Sequence, residues 1–333
     1  MIDRVDRLPH ALLLSGPTGG GKRDFAYSLA ARLLCETASG HAEACGSCPS
    51  CTWFFAGNHP DFRMIEPGDG ESPAEEEGTE EAASLQKRKT DQIRIGQIRE
   101  LDSFFGVGTH RQGYRIILLN PAESMNQATA NALLKTLEEP PPSTLFLLVT
   151  NRKRKILPTL LSRCQIIDFP KPEPALALSW LKEARVHQAD AMLAHASGMP
   201  LEAAKAAHHN EYFFEFHKDI QQIEQLGAVT ISARWDAWLK EGGAVVLDRE
   251  TLVVWLQKWV FDLILMKSCG MTLFHAGKTK EIGAMSERSH LTALLDCYND
   301  LLKIRAVARH PLNSRLFIED MLFRYARAAL TMR

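Results

Sequence analysis

The chain has 333 residues, 45% of them hydrophobic and 24% charged, with a formal net charge of −1. That length suffices for two or three domains, and the balance is that of a globular protein rather than a disordered or membrane-embedded one. A near-neutral charge provides no overall basic field with which to hold nucleic acid.

The first residues, Met1-Ile2-Asp3-Arg4-Val5-Asp6-Arg7, lack the apolar core of a signal peptide. Seven cysteines in such a chain predict a reducing, cytoplasmic compartment, where clustered thiols bind metal more often than they pair. Residues 11–14, Ala-Leu-Leu-Leu, read as a buried strand, and residues 25–34 have the apolar period of a helix. Between them lies Gly16-Pro17-Thr18-Gly19-Gly20-Gly21-Lys22-Arg23. This is a phosphate-binding loop in its proper strand-to-helix setting. Its glycines, Gly16 and Gly21 among them, free backbone amides to cradle phosphate, and Lys22 is placed to reach the outer phosphates. The next position needs a Ser or Thr hydroxyl to hold Mg²⁺, and Arg23 cannot ligate a cation.

Residues 35–57 read as a loop carrying Cys35, Cys45, Cys48 and Cys51. Four thiolates at C-x₉-C-x₂-C-x₂-C spacing can close a tetrahedral Zn²⁺ shell, and a closed shell is structural. An iron–sulfur cluster is the rival, although the ferredoxin pattern calls for a cysteine where Phe55 stands. Four ordinary buried thiols are the third reading. Cys164, Cys269 and Cys297 are isolated and read as core residues. A strand follows at 61–65. Residues 67–90 then crowd Glu71, Glu75, Glu76, Glu77, Glu80 and Glu81 ahead of Lys87-Arg88-Lys89, the composition of a disordered insertion.

Ile98, Leu101, Phe104 and Phe105 predict a helix, and 115–120 a second apolar strand. A working P-loop ATPase ends that strand in an acidic Mg²⁺ ligand, often followed by a glutamate. Here Asn120-Pro121 stand instead, and Glu123 comes later. Residues 123–139 predict a helix stopped by Pro140-Pro141-Pro142, 144–150 a third strand, 156–163 a short helix with Pro158 in its first turn, and 165–169 the last strand. Strands alternating with helices predict an α/β fold with a parallel sheet covered on both faces.

Lys171-Pro172-Glu173-Pro174 reads as a linker, and no strand is predicted beyond it. Residues 175–209 read as helices broken at Ser197-Gly198-Met199-Pro200. Residues 211–333 read as helices with loops near Gly242-Gly243 and across 277–289. The most apolar stretch, 252–266, is interrupted by Gln257, Lys258 and Asp262, so it predicts a buried helix rather than a membrane span.

Asn131-Ala132-Leu133-Leu134-Lys135-Thr136-Leu137-Glu138-Glu139-Pro140-Pro141, followed by Ser162-Arg163-Cys164, resembles the clamp-loader branch of the AAA+ ATPases. With the four-cysteine insertion after the P-loop helix, with His10-Ala11-Leu12-Leu13-Leu14-Ser15-Gly16 and with His59-Pro60-Asp61, the chain is similar to bacterial DNA polymerase III clamp-loader subunits over about residues 8–210. In the C-terminal third, only the helical character and Asn313-Ser314-Arg315-Leu316 match.

The resemblance implies an AAA+ (RecA-like) domain at 1–170 with a zinc module at 35–57, a helical lid at 171–210 and an all-α oligomerisation collar at 211–333. It implies partners: the gamma/tau and delta clamp-loader subunits and, through the complex, the sliding clamp and primed DNA, with no membrane. It makes Arg163 an arginine finger reaching a neighbour's ATP site and Thr150-Asn151 a polar sensor position. Leu201 stands where active relatives carry a lid arginine. These departures point to the family's non-hydrolysing form. A divergent but active gamma/tau-like ATPase is the alternative. A third reading, a nucleic-acid-binding zinc protein, rests on the cysteines and on Arg152-Lys153-Arg154-Lys155.

Overall fold

A computed structural model describes residues 8–37, 43–68, 91–106, 113–241 and 247–329. Most of the acidic insertion expected at 67–90 lies outside these residues, as does the loop expected near Gly242-Gly243. The chain divides into two compact units, Met1–Lys171 and Pro172–Arg333.

The first unit is built on five parallel strands. They are β1 (Ala11–Ser15), β2 (Phe62–Ile65), β3 (Arg115–Leu119), β4 (Thr144–Thr150) and β5 (Gln165–Asp168), in the order β2-β3-β4-β1-β5. Its helices are α1 (Lys22–Leu34), α2 (Pro49–Phe55), α3 (Ile95–Gly106), α4 (Gln127–Glu138) and α5 (Pro158–Leu161). Every residue of β1, β3 and β4 is buried, as parallel strands covered on both faces require.

The side chains alternate between two cores. Leu13, Ile117, Leu119, Phe146 and Leu148 pack with Ile98 and Leu101 of α3 and with Leu133 and Leu137 of α4. Leu12, Leu14, Ile116, Leu118, Leu145 and Leu147 pack with Ala26, Leu29 and Ala30 of α1. Each apolar strand residue thus serves one face, following the period of two.

Three boundaries differ from the sequence expectation. The 35–57 loop contains α2, whose Phe54 is buried against Tyr27 and Phe62; an anchor of this kind shows in no periodicity. The helix expected from residue 123 begins at Gln127, because Asn126 caps it by accepting the Thr129 amide. Glu123 belongs instead to a 3₁₀ turn, Ala122–Ser124. The helix expected over 156–163 shortens to α5.

Among its described residues the second unit is entirely helical: α6 (Pro174–Glu183), α7 (Ala189–His195), α8 (Pro200–Ala207), α9 (Asn210–Gln221), α10 (Ile223–Leu226), α11 (Ala228–Lys240), α12 (Arg249–Cys269), α13 (Thr279–Glu287), α14 (Leu291–Val307) and α15 (Ser314–Ala329). One apolar core runs from Ala177 to Ala329, so α6–α8 share it with the helices that follow. The loop expected across 277–289 is largely α13, which seals that core with Ile282.

The apolar 252–266 stretch lies inside α12, and its three interrupting polar residues all have partners. Gln257 donates to Leu301 O at 3.0 Å and Lys258 to His195 O at 2.8 Å. Buried Asp262 accepts the amides of Leu273, Phe274 and His275 together with His275 Nδ1. No helix among the described residues is long and apolar enough to cross a membrane.

Candidate functional site

The glycine-rich loop expected to bind phosphate leaves β1 at Ser15 and enters α1 at Lys22. Two of its glycines are sterically required. A Cβ on Gly16 would lie 2.4 Å from the Phe169 carbonyl oxygen, and Gly21 holds a left-handed φ of 79° as the N-cap of α1. Lys22 follows and is buried. Its ammonium donates to Pro17 O at 2.6 Å and to Asn151 Oδ1 at 2.9 Å. Burial lowers its pKa from the usual lysine value, and the Glu123 carboxylate partly opposes that. The cation expected to reach phosphate is thus folded onto its own loop. Asn151, at the end of β4, completes a relay in which its amide donates to Glu123 Oε1 at 3.1 Å.

Arg23, one residue on, turns toward β2. Its guanidinium lies 3.2 Å from Glu66 Oε1, and Asn120 Nδ2 donates to the same oxygen at 2.8 Å. Both positions that would hold Mg²⁺ in a working P-loop site therefore present donors to one carboxylate. Glu66 was missed by sequence reasoning. The signal lies in the register: Ile65 of β2 pairs with Leu119 of β3, so residues 66 and 120 emerge side by side from adjacent strands.

The four predicted cysteines come together. Their sulfurs all lie within 4.8 Å of one another, with Cys35 to Cys48 at 4.0 Å and Cys45 to Cys51 at 3.9 Å. A tetrahedral shell with metal–sulfur bonds of about 2.3 Å needs sulfurs about 3.8 Å apart, so this set fits a metal ion. Backbone amides already point at the sulfurs: Cys45 N at Cys35, Ser47 N and Cys48 N at Cys45, and Cys51 N at Cys48. The Thr37 hydroxyl and the Ser47 and Cys48 amides hold the Cys45 thiol down at about 5, the direction ligation requires.

A buried relay anchors this module to the sheet. His59 Nδ1 accepts the Asp61 amide, so Nε2 carries the proton and donates to Ser50 Oγ at 2.8 Å. Ser50 in turn donates to Leu34 O, the last residue of α1. The His59-Pro60-Asp61 run thereby ties α2, α1 and β2 together.

Arg163 lies just past α5. Its guanidinium pairs with Glu138 Oε1 at 2.6 Å and donates to Thr159 O at 3.0 Å. Cys164 packs against the core, and burial pushes its thiol up to about 11. The basic run 152–155 contains a 3₁₀ turn, in which Lys153 makes a loose exposed pair with Asp168 at 3.6 Å. In the second unit, Leu201 lies in the first turn of α8.

A family model described as "DNA polymerase III, delta subunit" matches residues 2–173, just over half of the chain. DNA polymerase III subunit delta' of Pseudomonas aeruginosa is 38% identical over 200 residues, 59% of this chain and 55% of that one. The Escherichia coli subunit of the same name is 32% identical over 185 residues, 56% and 49% of the two chains. That of Bacillus subtilis is 33% identical over 223 residues, 66% and 60%. The match spans about half the length of these curated relatives. A gamma subunit-related protein of Thermotoga maritima is similar in structure at TM-score 0.48 and 16% identity, with 96% of this chain and 95% of that one covered. The chain belongs to the DNA polymerase III delta subunit family, with delta-prime subunits as its relatives there.

Proposed function

We propose that this chain is the delta-prime subunit of a DNA polymerase III clamp loader and that it does not itself hydrolyse ATP. One observation carries the reading: Arg23 and Asn120, at the two metal-binding positions, are both engaged by Glu66. A hydrolytic P-loop site needs a divalent cation bridging the β- and γ-phosphates. A guanidinium cannot ligate it, and Asn120, its NH₂ turned to Glu66, is neutral and a weaker ligand than the acidic residue it replaces. Lys22, committed to Pro17 and Asn151, would have to give up those bonds to meet a triphosphate.

In this reading the chain scaffolds a pentameric loader in the cytoplasm, beside gamma/tau and delta subunits, that places the sliding clamp on primed DNA. Arg163 acts as a finger in the neighbour's ATP site, a role worth about 10³–10⁵ in rate in comparable NTPases. Cys35, Cys45, Cys48 and Cys51 hold one Zn²⁺, which closes the module without an open coordination position. Residues 171–210 act as the lid and 211–333 as the collar.

The test is turnover by the isolated chain against the reconstituted loader. The chain alone should show none above background. Steady-state hydrolysis within the enzyme range of about 1–10³ s⁻¹, abolished by Lys22→Met, would assign it instead to the gamma/tau-like alternative.

A further inference from the structure

The guanidinium of Arg163 is not free in this chain. One terminal nitrogen is bonded to Glu138 at 2.6 Å. The other donates to Thr159 O at 3.0 Å and stands 3.4 Å from Ser162 Oγ. Glu138 is the last residue of α4 and lies 25 positions before Arg163. The bond therefore ties the end of α4 to the segment leaving α5.

A guanidinium presents its donors as a planar fork, and carboxylate and phosphate oxygens compete for the same edge. The nitrogen that Glu138 occupies cannot take a phosphoryl oxygen in that geometry. We propose that Glu138 is a holding group for Arg163. It keeps the guanidinium folded against its own chain and yields it to the terminal phosphate of a nucleoside triphosphate presented by the neighbouring subunit. This inference rests on the finger role given to Arg163 above.

Three features suit the pair to that task. The Arg163 side chain is 35% exposed and that of Glu138 52%, so water screens the bridge and the hold is weak. A triphosphate carries more charge than one carboxylate and offers several oxygens, so it wins the competition when it arrives. Glu138 also sits at the C-terminal end of α4, where the helix dipole disfavours a negative charge. Arg163 offsets that while it is held, and its departure removes the offset. The position of the finger is thus coupled to the end of α4, and Glu138 acts through Arg163 as a positioning residue.

The experiment uses the reconstituted loader, with ATP hydrolysis followed against ATP concentration, with and without clamp and primed DNA. Four versions of this subunit are compared: wild type, Arg163→Ala, Glu138→Gln and the double variant, each checked for assembly. Glu138→Gln should lower the KM for ATP about two- to fivefold, the scale of an exposed ion pair, and leave the stimulated kcat near wild type. The double variant should match Arg163→Ala, because Glu138 has nothing to act on once the arginine is gone. If Arg163→Ala is silent, the finger reading itself falls and the holding role falls with it. If Arg163→Ala lowers hydrolysis but Glu138→Gln behaves as wild type, the finger stands and the holding role is wrong. If Glu138→Gln lowers kcat as Arg163→Ala does, Glu138 aligns the finger rather than competing for it, and the proposal is overturned.

Discussion

Arg23 and Asn120, 97 positions apart in the chain, converge on the carboxylate of Glu66: Asn120 donates to Oε1 at 2.8 Å, and Arg23 pairs with the same oxygen at 3.2 Å while donating to Oε2 at 3.4 Å. Each occupies a place where a P-loop ATPase recruits metal, and here each is satisfied within the protein. The loop keeps its glycines and its lysine, while the charge that a divalent cation would bring is supplied by a fixed guanidinium. Lys22 is treated in the same way, with Asn151 and Pro17 in place of a ligand.

Glu66→Ala separates the two roles this carboxylate could have. It frees Arg23 and Asn120 but adds no metal ligand, so ATPase activity should remain at background. Arg23 is half exposed, so the loss of stability should be about 1 kcal/mol or less. A thermal melt and a phosphate-release assay read both. Activity appearing in this variant would show that Glu66 blocks a site that is otherwise competent.

Metal analysis of protein purified without added metal should find one zinc per chain. Cys48→Ser should lose it and lower the melting temperature through the missing metal ligand alone, because serine can still cap α2. His59→Ala should destabilise the same module with the cysteines intact, since it cuts the relay from Asp61 to Ser50 and Leu34. Leaving buried polar groups unpaired costs about 1–3 kcal/mol. A coloured, iron-containing sample would replace the zinc assignment.

Stability should fall below about pH 6.5 through a buried histidine cluster in the second unit. His217 has no hydrogen-bond partner on either ring nitrogen, and burial, with His275 and Lys278 nearby, lowers its pKa to about 2. Burial also lowers His195 and His275, although Asp262 opposes the shift at His275. Each folded pKa lies below the unfolded value of about 6.5. Below that pH the unfolded chain binds more protons, so stability is lost as pH falls, by up to about 1.4 kcal/mol per pH unit for each histidine. Urea unfolding of wild type and His217→Phe between pH 4 and 8 should show a shallower acid limb in the variant. Identical limbs would remove His217 from the account.

Assembly should depend on apolar side chains that the second unit leaves exposed. Leu316 and Phe323 of α15 are 63% and 53% exposed, and their seven-residue spacing puts them on one face of that helix. Leu316→Glu and Phe323→Glu should weaken incorporation into the loader while the melting temperature of the isolated chain stays within about 1–2 °C. Point variants are the appropriate test, because α6–α8 share their core with the later helices and deleting 211–333 would expose it. Full incorporation of both variants would move the contact to another face.

Local periodicity and short-range chemistry were enough for much of this protein. The runs 11–14, 116–119 and 145–149 are continuously apolar because both of their faces are covered. The glycine-rich loop and the cysteine spacing are legible because each is a pattern of particular residues at fixed intervals within one stretch of chain. The short helices α2 and α13 were not legible: each hangs on one or two buried apolar side chains, Cys51 and Phe54 in one and Ile282 in the other, and so few anchors set no period. What only the tertiary structure decided is which charges meet. Glu66 reaches Arg23 and Asn120 through the pairing of β2 with β3, Asn151 reaches Lys22 across the ends of β4 and β1, and Glu138 reaches Arg163 from the end of α4. Each partner is separated from the other by tens of residues. Its position follows from strand register and helix length, and a linear pattern carries neither.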